Sequence, residues 1–351
     1  MIYPDPFDEL EAMVDGTTPS SEFVGEPMDE NPIESTIRIY IQNLNGLTWN
    51  RDGGRWPYVC EAMEAIQADI ACFSELNTDT HKYEIRTKME EICRRQFDQN
   101  CLVLSTAPNK TTTSYKPGGT AILARNAITS RIKSHTRDRM GRWASLSLTV
   151  SANKTLRVIS AYQVCANNVR PGTNTAASYQ NAQLIVESTH DRGNHRTHPR
   201  QAFVIDLTNY IRQVQQAGED VILAGDFNEE IASTETGMSS LASTCGLVDL
   251  FSIRLGSSTI PITYQRGSKR FDYILISPSL LSAVQAAGYD PFGYRLPSDH
   301  RGMYVDLSTD ALFDQELPQI TPATMRDFRT SSPEVVPTYV TAKMKYLEEH
   351  R

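Results

Sequence analysis

No stretch of this chain approaches the roughly 18 consecutive apolar residues that a membrane-spanning helix needs, and its first residues lack the basic-then-apolar layout of a secretory leader. We therefore expect a protein that is not secreted, stays inside the cell and has no membrane partner, with the nucleus among the compartments that suit it. Cysteine is sparse: Cys60, Cys72, Cys93, Cys101, Cys165 and Cys245 form no CxxC and no spacing of a disulfide framework or zinc site. They read as reduced, mostly packed thiols. No internal repeat is visible.

The most informative absence is that of basic residues from the start of the chain. Residues 1–36 hold ten acids and no Lys or Arg, interspersed with Pro4, Pro6, Pro19, Pro27 and Pro32 and without a sustained period. That composition predicts a flexible acidic lead-in. The net charge of −8 is therefore unevenly spread. After Thr36 the chain carries 34 basic against 32 acidic residues, and without the stretch from Val305 onward 29 against 24, a surplus of +5. If several central acids sit in a metal site, the remaining surface is more basic still, as suits a polyanionic partner.

What is present is enough apolar sequence, 40% of the chain, for a sizeable core. From residue 37 short apolar strands alternate with helices. The residues 37–41, 69–73, 221–224, 271–276 and 303–307 read as strands, and 144–150 with 156–161 as a hairpin. Helices fit 58–67, 80–93 and 199–216, the last with Phe203, Leu207, Tyr210, Ile211 and Val214 on one face. Helical crossovers do not separate every strand. An α/β fold of two packed, mostly antiparallel sheets with helices outside is favoured over a doubly wound parallel sheet. Beyond Leu307 a Pro-spaced stretch leads to Ser332-Pro-Glu, a helix start, and the stripe Val336, Tyr339, Val340, Met344, Leu347 reads as a closing helix. Three parts follow: 1–36, a folded domain over 37–307, and a connector with an amphipathic helix over 308–351.

The chemistry gathers at strand ends. Gly225-Asp226-Phe227-Asn228 follows one strand directly, Ser298-Asp299-His300 precedes another, and Glu75 closes the strand 69–73. Asn43 and Asn45 close the first strand, Tyr162 follows 158–161, and Asp272 lies inside an apolar strand, where an acid is costly without a partner. His300 is the natural one. Each site alone is as well explained by a turn, a cap or a solvated strand end.

In order and spacing, however, Asn43, Glu75, Tyr162, Asp226 with Asn228, Asp272 with Tyr273, and Asp299 with His300 resemble the endonuclease/exonuclease/phosphatase superfamily. The resemblance covers about residues 37–307. It implies a four-layer α/β sandwich of the DNase I type, with the motif-bearing strand ends meeting at one rim. It also implies a metal-dependent phosphodiester hydrolase. Glu75 would hold Mg²⁺, with Mn²⁺ as a substitute, and Asp299 and Asn45 would be further or water-mediated ligands. Asp226 would orient or deprotonate water. Asn228, Asn43 and Tyr162 would contact phosphoryl oxygens or the nucleophile, and His300, held by Asp272, would meet the charge growing on phosphate. Many relatives carry Asp where Asn45 stands, which weakens the expected metal site.

The substrate must be read from loops. Lys116 in Lys-Pro-Gly-Gly-Thr, Arg139 and Arg142 in the basic stretch 125–142, and Lys269-Arg270 are candidates to line a phosphate-backbone groove. Tyr264 and Phe271 could stack on bases or simply pack. Pro-Gly-Gly-Thr, Gly-Arg-Trp, Ala-Tyr-Gln, Lys-Arg-Phe-Asp-Tyr and a long polar insertion over 167–199 are similar to endonuclease domains of non-LTR retrotransposon polyproteins, here truncated or freestanding. They imply DNA as partner, nicked to leave 3'-hydroxyl and 5'-phosphate ends. The alternatives are a phosphatase of inositol-phosphate or nucleotide substrates and a non-catalytic nucleic-acid-binding relative. His190, His195 and His198 in the insertion lack cysteine partners and read as a solvated loop rather than a zinc site.

Overall fold

The computed structural model describes residues 22–28, 35–151, 154–166, 175–190, 198–231, 237–257 and 259–313, together with 337–338, 340–341 and 343–345. They fall into two units, Met1–Glu316 and Leu317–Arg351. Of the second unit the described residues are helical, with Val340 and Met344 exposed. Tyr339 and Leu347 of the expected stripe lie outside the described residues.

The first unit contains thirteen described strands in two sheets. One runs β1 (Val24–Gly25), β12 (Val284–Tyr289), β13 (Met303–Ser308), β2 (Thr36–Asn43), β3 (Ile70–Ser74), β5 (Thr120–Arg125), β4 (Asn100–Ser105). The other runs β10 (Val248–Asp249), β11 (Asp272–Ile276), β9 (Glu219–Asp226), β8 (Lys154–Tyr162), β7 (Trp143–Ser151), β6 (Ile132–Arg137). Only β2–β3 and β8–β9 pair in parallel; every other named pair is antiparallel.

The period-2 alternation of the strands explains the layering. In β2, Ile37, Ile39 and Ile41 face the inter-sheet core, where they meet Ile222 and Ala224 of β9 and Leu156 and Val158 of β8. The opposite face of the first sheet, with Tyr40, Ala71, Phe73 and Leu123, is covered by α1 (Trp56–Ala65) and α2 (Tyr83–Gln96) through Trp56, Val59, Met63, Ile85 and Met89. The outer face of the second sheet, with Ile159, Ala161, Val221 and Leu223, receives Phe203, Leu207, Ile211 and Val214 of α4 (Pro199–Gln216) and Met238 and Leu241 of α5 (Gly237–Thr244). Helix, sheet, sheet, helix is the expected four-layer sandwich. Both faces of these strands are buried, which is why they read as continuous apolar runs.

Two expectations need correction. Part of the supposed flexible lead-in is built in: β1 pairs with β12, Met28 is buried, and Glu26 ion-pairs with Arg254 of α6 (Leu250–Leu255). The polar insertion is not loop throughout, since residues 176–190 form α3 (Ala176–His190) and His198 is the N-cap residue of α4. His195 lies outside the described residues. The core also continues past β13 into α7 (Thr309–Phe313), whose Leu312 and Phe313 are buried. Among the described residues no helix is long and apolar enough to cross a membrane.

Candidate active site

Strand register brings the motif residues to one edge. Asn43 ends β2 opposite Ser74 of β3, which places Glu75 beside it. In the other sheet Tyr162 of β8 lies opposite Asp226 of β9, and Asp226 opposite Asp272 of β11. Gly225 is required for this approach, since a Cβ there would stand 1.9 Å from the Ala161 carbonyl oxygen, at φ +143°.

One amide ties the sheets together. Asn43 Nδ2 donates to Glu75 Oε2 at 2.8 Å and to Asp226 Oδ2 at 2.9 Å. Asn43 Oδ1 accepts from the Asn45 amide at 2.9 Å. The other oxygen of Asp226 accepts from the Asn228 amide at 2.8 Å, and Asn228 Nδ2 lies 2.8 Å from the Gln163 carbonyl. His300 Nδ1 is 2.8 Å from Asp272 Oδ2 and His300 Nε2 is 4.0 Å from Asp226 Oδ2. Because a carboxylate only accepts, Nδ1 carries the proton.

Of the supporting groups Ser298 stands in the Ser298-Asp299-His300 motif, and the others had no signal of their own in the sequence. Ser298 Oγ donates to the Asn43 carbonyl (2.7 Å) and accepts from the His300 amide (3.1 Å). Thr263 Oγ1 accepts from the amides of Phe271 and Asp272. Arg55 holds the 44–46 turn to the carbonyl of Pro297. Asn77 takes the amide of Gly118 on its Oδ1 and supports Glu75. Asn45, Glu75, Asn77 and Asn228 all have φ between 47° and 55°. For Glu75 this left-handed conformation costs on the order of 1–3 kcal/mol, a strain typical of residues held for function.

The electrostatics follow from burial. Asp226 is pushed up to about 8 by desolvation and by Asp272, against the pull of His300. Glu75 is likewise raised by burial, with Asn43 and His300 pulling it back. Burial alone would discharge His300, but Asp272 and Asp226 outweigh it and raise its pKa to about 10. The imidazole is thus cationic at neutral pH between two carboxyls.

Glu75, Asp226, Asn228 and His300 line a cleft of about 860 Å³ together with Asn45, Asp299, Arg200, Cys165, Tyr264 and Lys269. Tyr264 bridges to His300 and stacks obliquely on it, ring centroids 5.0 Å apart. Tyr162 lies in an adjoining cavity of about 190 Å³ that shares Glu75 and Cys165 with the cleft. Asp226, Asp272 and His300 place one ligand atom each within 4.8 Å. Asp272 and the imidazole already satisfy each other, so the oxygen donors free to face a hard cation are those of Glu75, Asp299 and Asn45. A divalent ion fits this set, because it would stabilise the carboxylate forms that burial disfavours.

The expected groove cations are largely elsewhere. Lys116 is fully buried, its Nζ 2.8 Å from Asp79 Oδ1 and bonded to the Ala107 carbonyl. Arg142 is buried against Asp138 and Asp206. Arg270 grips Asp249 with both Nη atoms and stacks on Tyr273 at 4.0 Å. These three therefore correct the groove assignment: each cation is paired with a carboxylate of the chain itself rather than left for a ligand. Lys269 lines the cleft in an ion pair with Glu230, and Arg139 lines a separate cavity. The sequence offered no sign of Arg200, which reaches the cleft from the first turn of α4 paired with Glu229.

Residues 43–300 match the protein-family profile described as Endonuclease/Exonuclease/phosphatase family. Among solved structures, the AP endonuclease LMAP from Leishmania major superposes with a TM-score of 0.57 at 14% identity, over 86% of this chain and 98% of that one. The 3'-5' exonuclease NExo from Neisseria meningitidis does so with 0.51 at 17%, over 78% and 100%. A variant of the 3' phosphatase NExo from Neisseria bound to a product DNA hairpin gives 0.50 at 16%, over 77% and 99%. At such identities the likeness establishes the fold. No curated protein matches by sequence.

Proposed function

The chain belongs to the endonuclease/exonuclease/phosphatase family, and we propose that it is a Mg²⁺-dependent DNA endonuclease that leaves 3'-hydroxyl and 5'-phosphate ends. The observation carrying this reading is the Asn43 amide shared between Glu75 and Asp226, with His300 4.0 Å beyond Asp226 and Glu75, Asp226 and His300 all lining one cleft. It assembles a hard-cation ligand, a base and a cation on the wall of one cleft.

Glu75 would hold the metal, with Asp299 and Asn45 beside it, and the bound ion would supply Lewis-acid polarisation of a phosphate oxygen. Asp226 takes the proton from the attacking water. Its raised pKa puts it near the working pH, where a general base contributes about 10² to 10⁴ in rate. As the P–O3' bond breaks, the protonated His300, held by Asp272, meets the charge on the non-bridging oxygens. Asn228 and Tyr162 position the phosphoryl group, and the 3' oxygen leaves as an alkoxide that takes a proton from solvent water to become the 3'-hydroxyl.

The turns at Pro117-Gly118-Gly119-Thr120 and Gly141-Arg142-Trp143, similar to those of non-LTR retrotransposon endonucleases, extend the reading to nicking of target DNA that primes reverse transcription. They also suggest a nuclear site of action. The test is incubation with Mg²⁺ of an end-labelled DNA duplex and, separately, inositol phosphates. Internal scission with 3'-hydroxyl and 5'-phosphate ends supports the reading. Release of inorganic phosphate without scission replaces it with a phosphatase.

A further inference from the structure

A second cavity, of about 320 Å³, is lined by Arg86, Arg137, Arg139 and His81, with Asp138 as its one acid among the described residues. Both oxygens of Asp138 are already held by Arg142, at 2.7 and 3.0 Å. Arg86 has only a loose pair with Glu90, 3.9 Å apart and both about 41% exposed. Arg137 and Arg139 are exposed with no carboxylate partner among the described residues. His81 Nε2 lies 2.9 Å from the Thr106 carbonyl, which can only accept, so that nitrogen donates and the ring is fixed in the wall. The cavity is a cationic pocket without a resident anion partner of its own.

Its place in the fold matters as much as its charge. Ser74, which precedes Glu75, pairs with Thr120, and Thr120 with Ser105, so Thr106 leaves the sheet at the edge where Glu75 stands. In the second sheet Arg137 pairs with Ala144, and Trp143 with Ala161, next to Tyr162 and thus beside Asp226. The pocket therefore opens on the rim that carries the Asp226 cleft. Six residues separate Glu75 from His81, a reach of at most about 22 Å. At about 3.4 Å per base pair, both sites lie within roughly seven base pairs of one duplex.

We propose that this pocket binds a backbone phosphate of the same DNA duplex whose scissile phosphate occupies the Asp226 cleft. The proposal rests on the DNA reading of that cleft and deepens it. Guanidinium forks suit phosphate oxygens, and a ligand carrying a single small phosphate group cannot reach both sites. The pocket would thus select a polymer.

The test is fluorescence anisotropy of the full chain with a labelled duplex of about 20 base pairs, in EDTA to prevent turnover, over a range of salt. Arg137→Ala with Arg139→Ala should weaken binding about tenfold and flatten the slope of log K against log salt by about two, at unchanged Tm. Arg137→Lys with Arg139→Lys should keep the slope. Wild-type affinity and slope in the Ala pair would overturn the subsite. Because this measurement needs no catalysis, a protein that binds with the predicted pattern but cleaves nothing sinks the endonuclease reading and leaves the subsite standing.

Discussion

His300 Nδ1 stands 2.8 Å from Asp272 Oδ2, and the backbone of Asp272 is paired in register with that of Asp226, the carboxyl on the other side of the same imidazole. Asp272 is the leading cause that raises His300 to about 10. A raised histidine pKa means the cation persists to higher pH, so the alkaline limb of activity should fall where His300 loses its proton. Asp272→Asn keeps the hydrogen bond's shape and removes the charge. We predict that activity drops by about 10² and that the alkaline limb moves to lower pH in a pH–rate profile. An unmoved limb would show that Asp272 does not set this proton.

Metal uptake should release protons. In the metal-free protein burial raises Glu75, and burial with Asp272 holds Asp226 up at about 8, so at pH 7 the Asp226 carboxyl largely keeps its proton. A cation favours the carboxylate forms. Titration calorimetry with Mg²⁺ in buffers of different ionisation heat should find close to one proton released at pH 7 and far fewer at pH 9. Release that is equal at both values, or zero at pH 7, contradicts the assignment.

Lys116 is a stability residue. Its ammonium is buried against Asp79, and removing one partner of such a pair leaves an uncompensated charge. Lys116→Met should lower unfolding free energy by about 3–5 kcal/mol in urea denaturation, with the salt slope of DNA binding unchanged. A flatter slope at unchanged stability would return Lys116 to the groove.

Gly225→Ala should be more damaging still. The added carbon would meet the Ala161 carbonyl oxygen at 1.9 Å across a parallel strand pair whose backbone cannot give way. We expect a loss above about 4 kcal/mol, seen as insoluble expression or a Tm drop of many degrees, whereas Gly218→Ala, with open space around it, should fold.

The fold was legible where burial on both faces leaves long apolar runs, as in β2, β3, β9 and β11, and where Pro199 and a one-sided apolar stripe mark α4. It was illegible in β12, whose Val-Gln-Ala-Ala-Gly-Tyr carries little apolar bulk, and in α3, whose Ala/Ser/Gln-rich sequence has a weak stripe and reads as loop. Residues such as Asn43, Glu75, Asp226 and His300 could be named because their order and spacing along the chain resemble a known superfamily, although each alone reads equally well as a turn, a cap or a strand end. Basic side chains gave no such guidance. Arg142 and Arg139 look alike in sequence, yet one closes on Asp138 four residues earlier and the other faces open space. Whether a guanidinium meets water or a buried carboxylate is decided by tertiary contacts that no local pattern carries. The scaffolding groups Thr263 and Arg55 escaped for the same reason.

The central claim is that the cleft around Asp226, Glu75 and His300 hydrolyses phosphodiesters in DNA with a divalent metal. The direct measurement is conversion of supercoiled plasmid to nicked circles by the purified chain. The account predicts nicking with Mg²⁺, none with EDTA, and a loss of at least about 10² with Asp226→Asn or His300→Ala, each variant folded by circular dichroism. Intact plasmid with folded wild type and Mg²⁺, or nicking that survives Asp226→Asn, would contradict it.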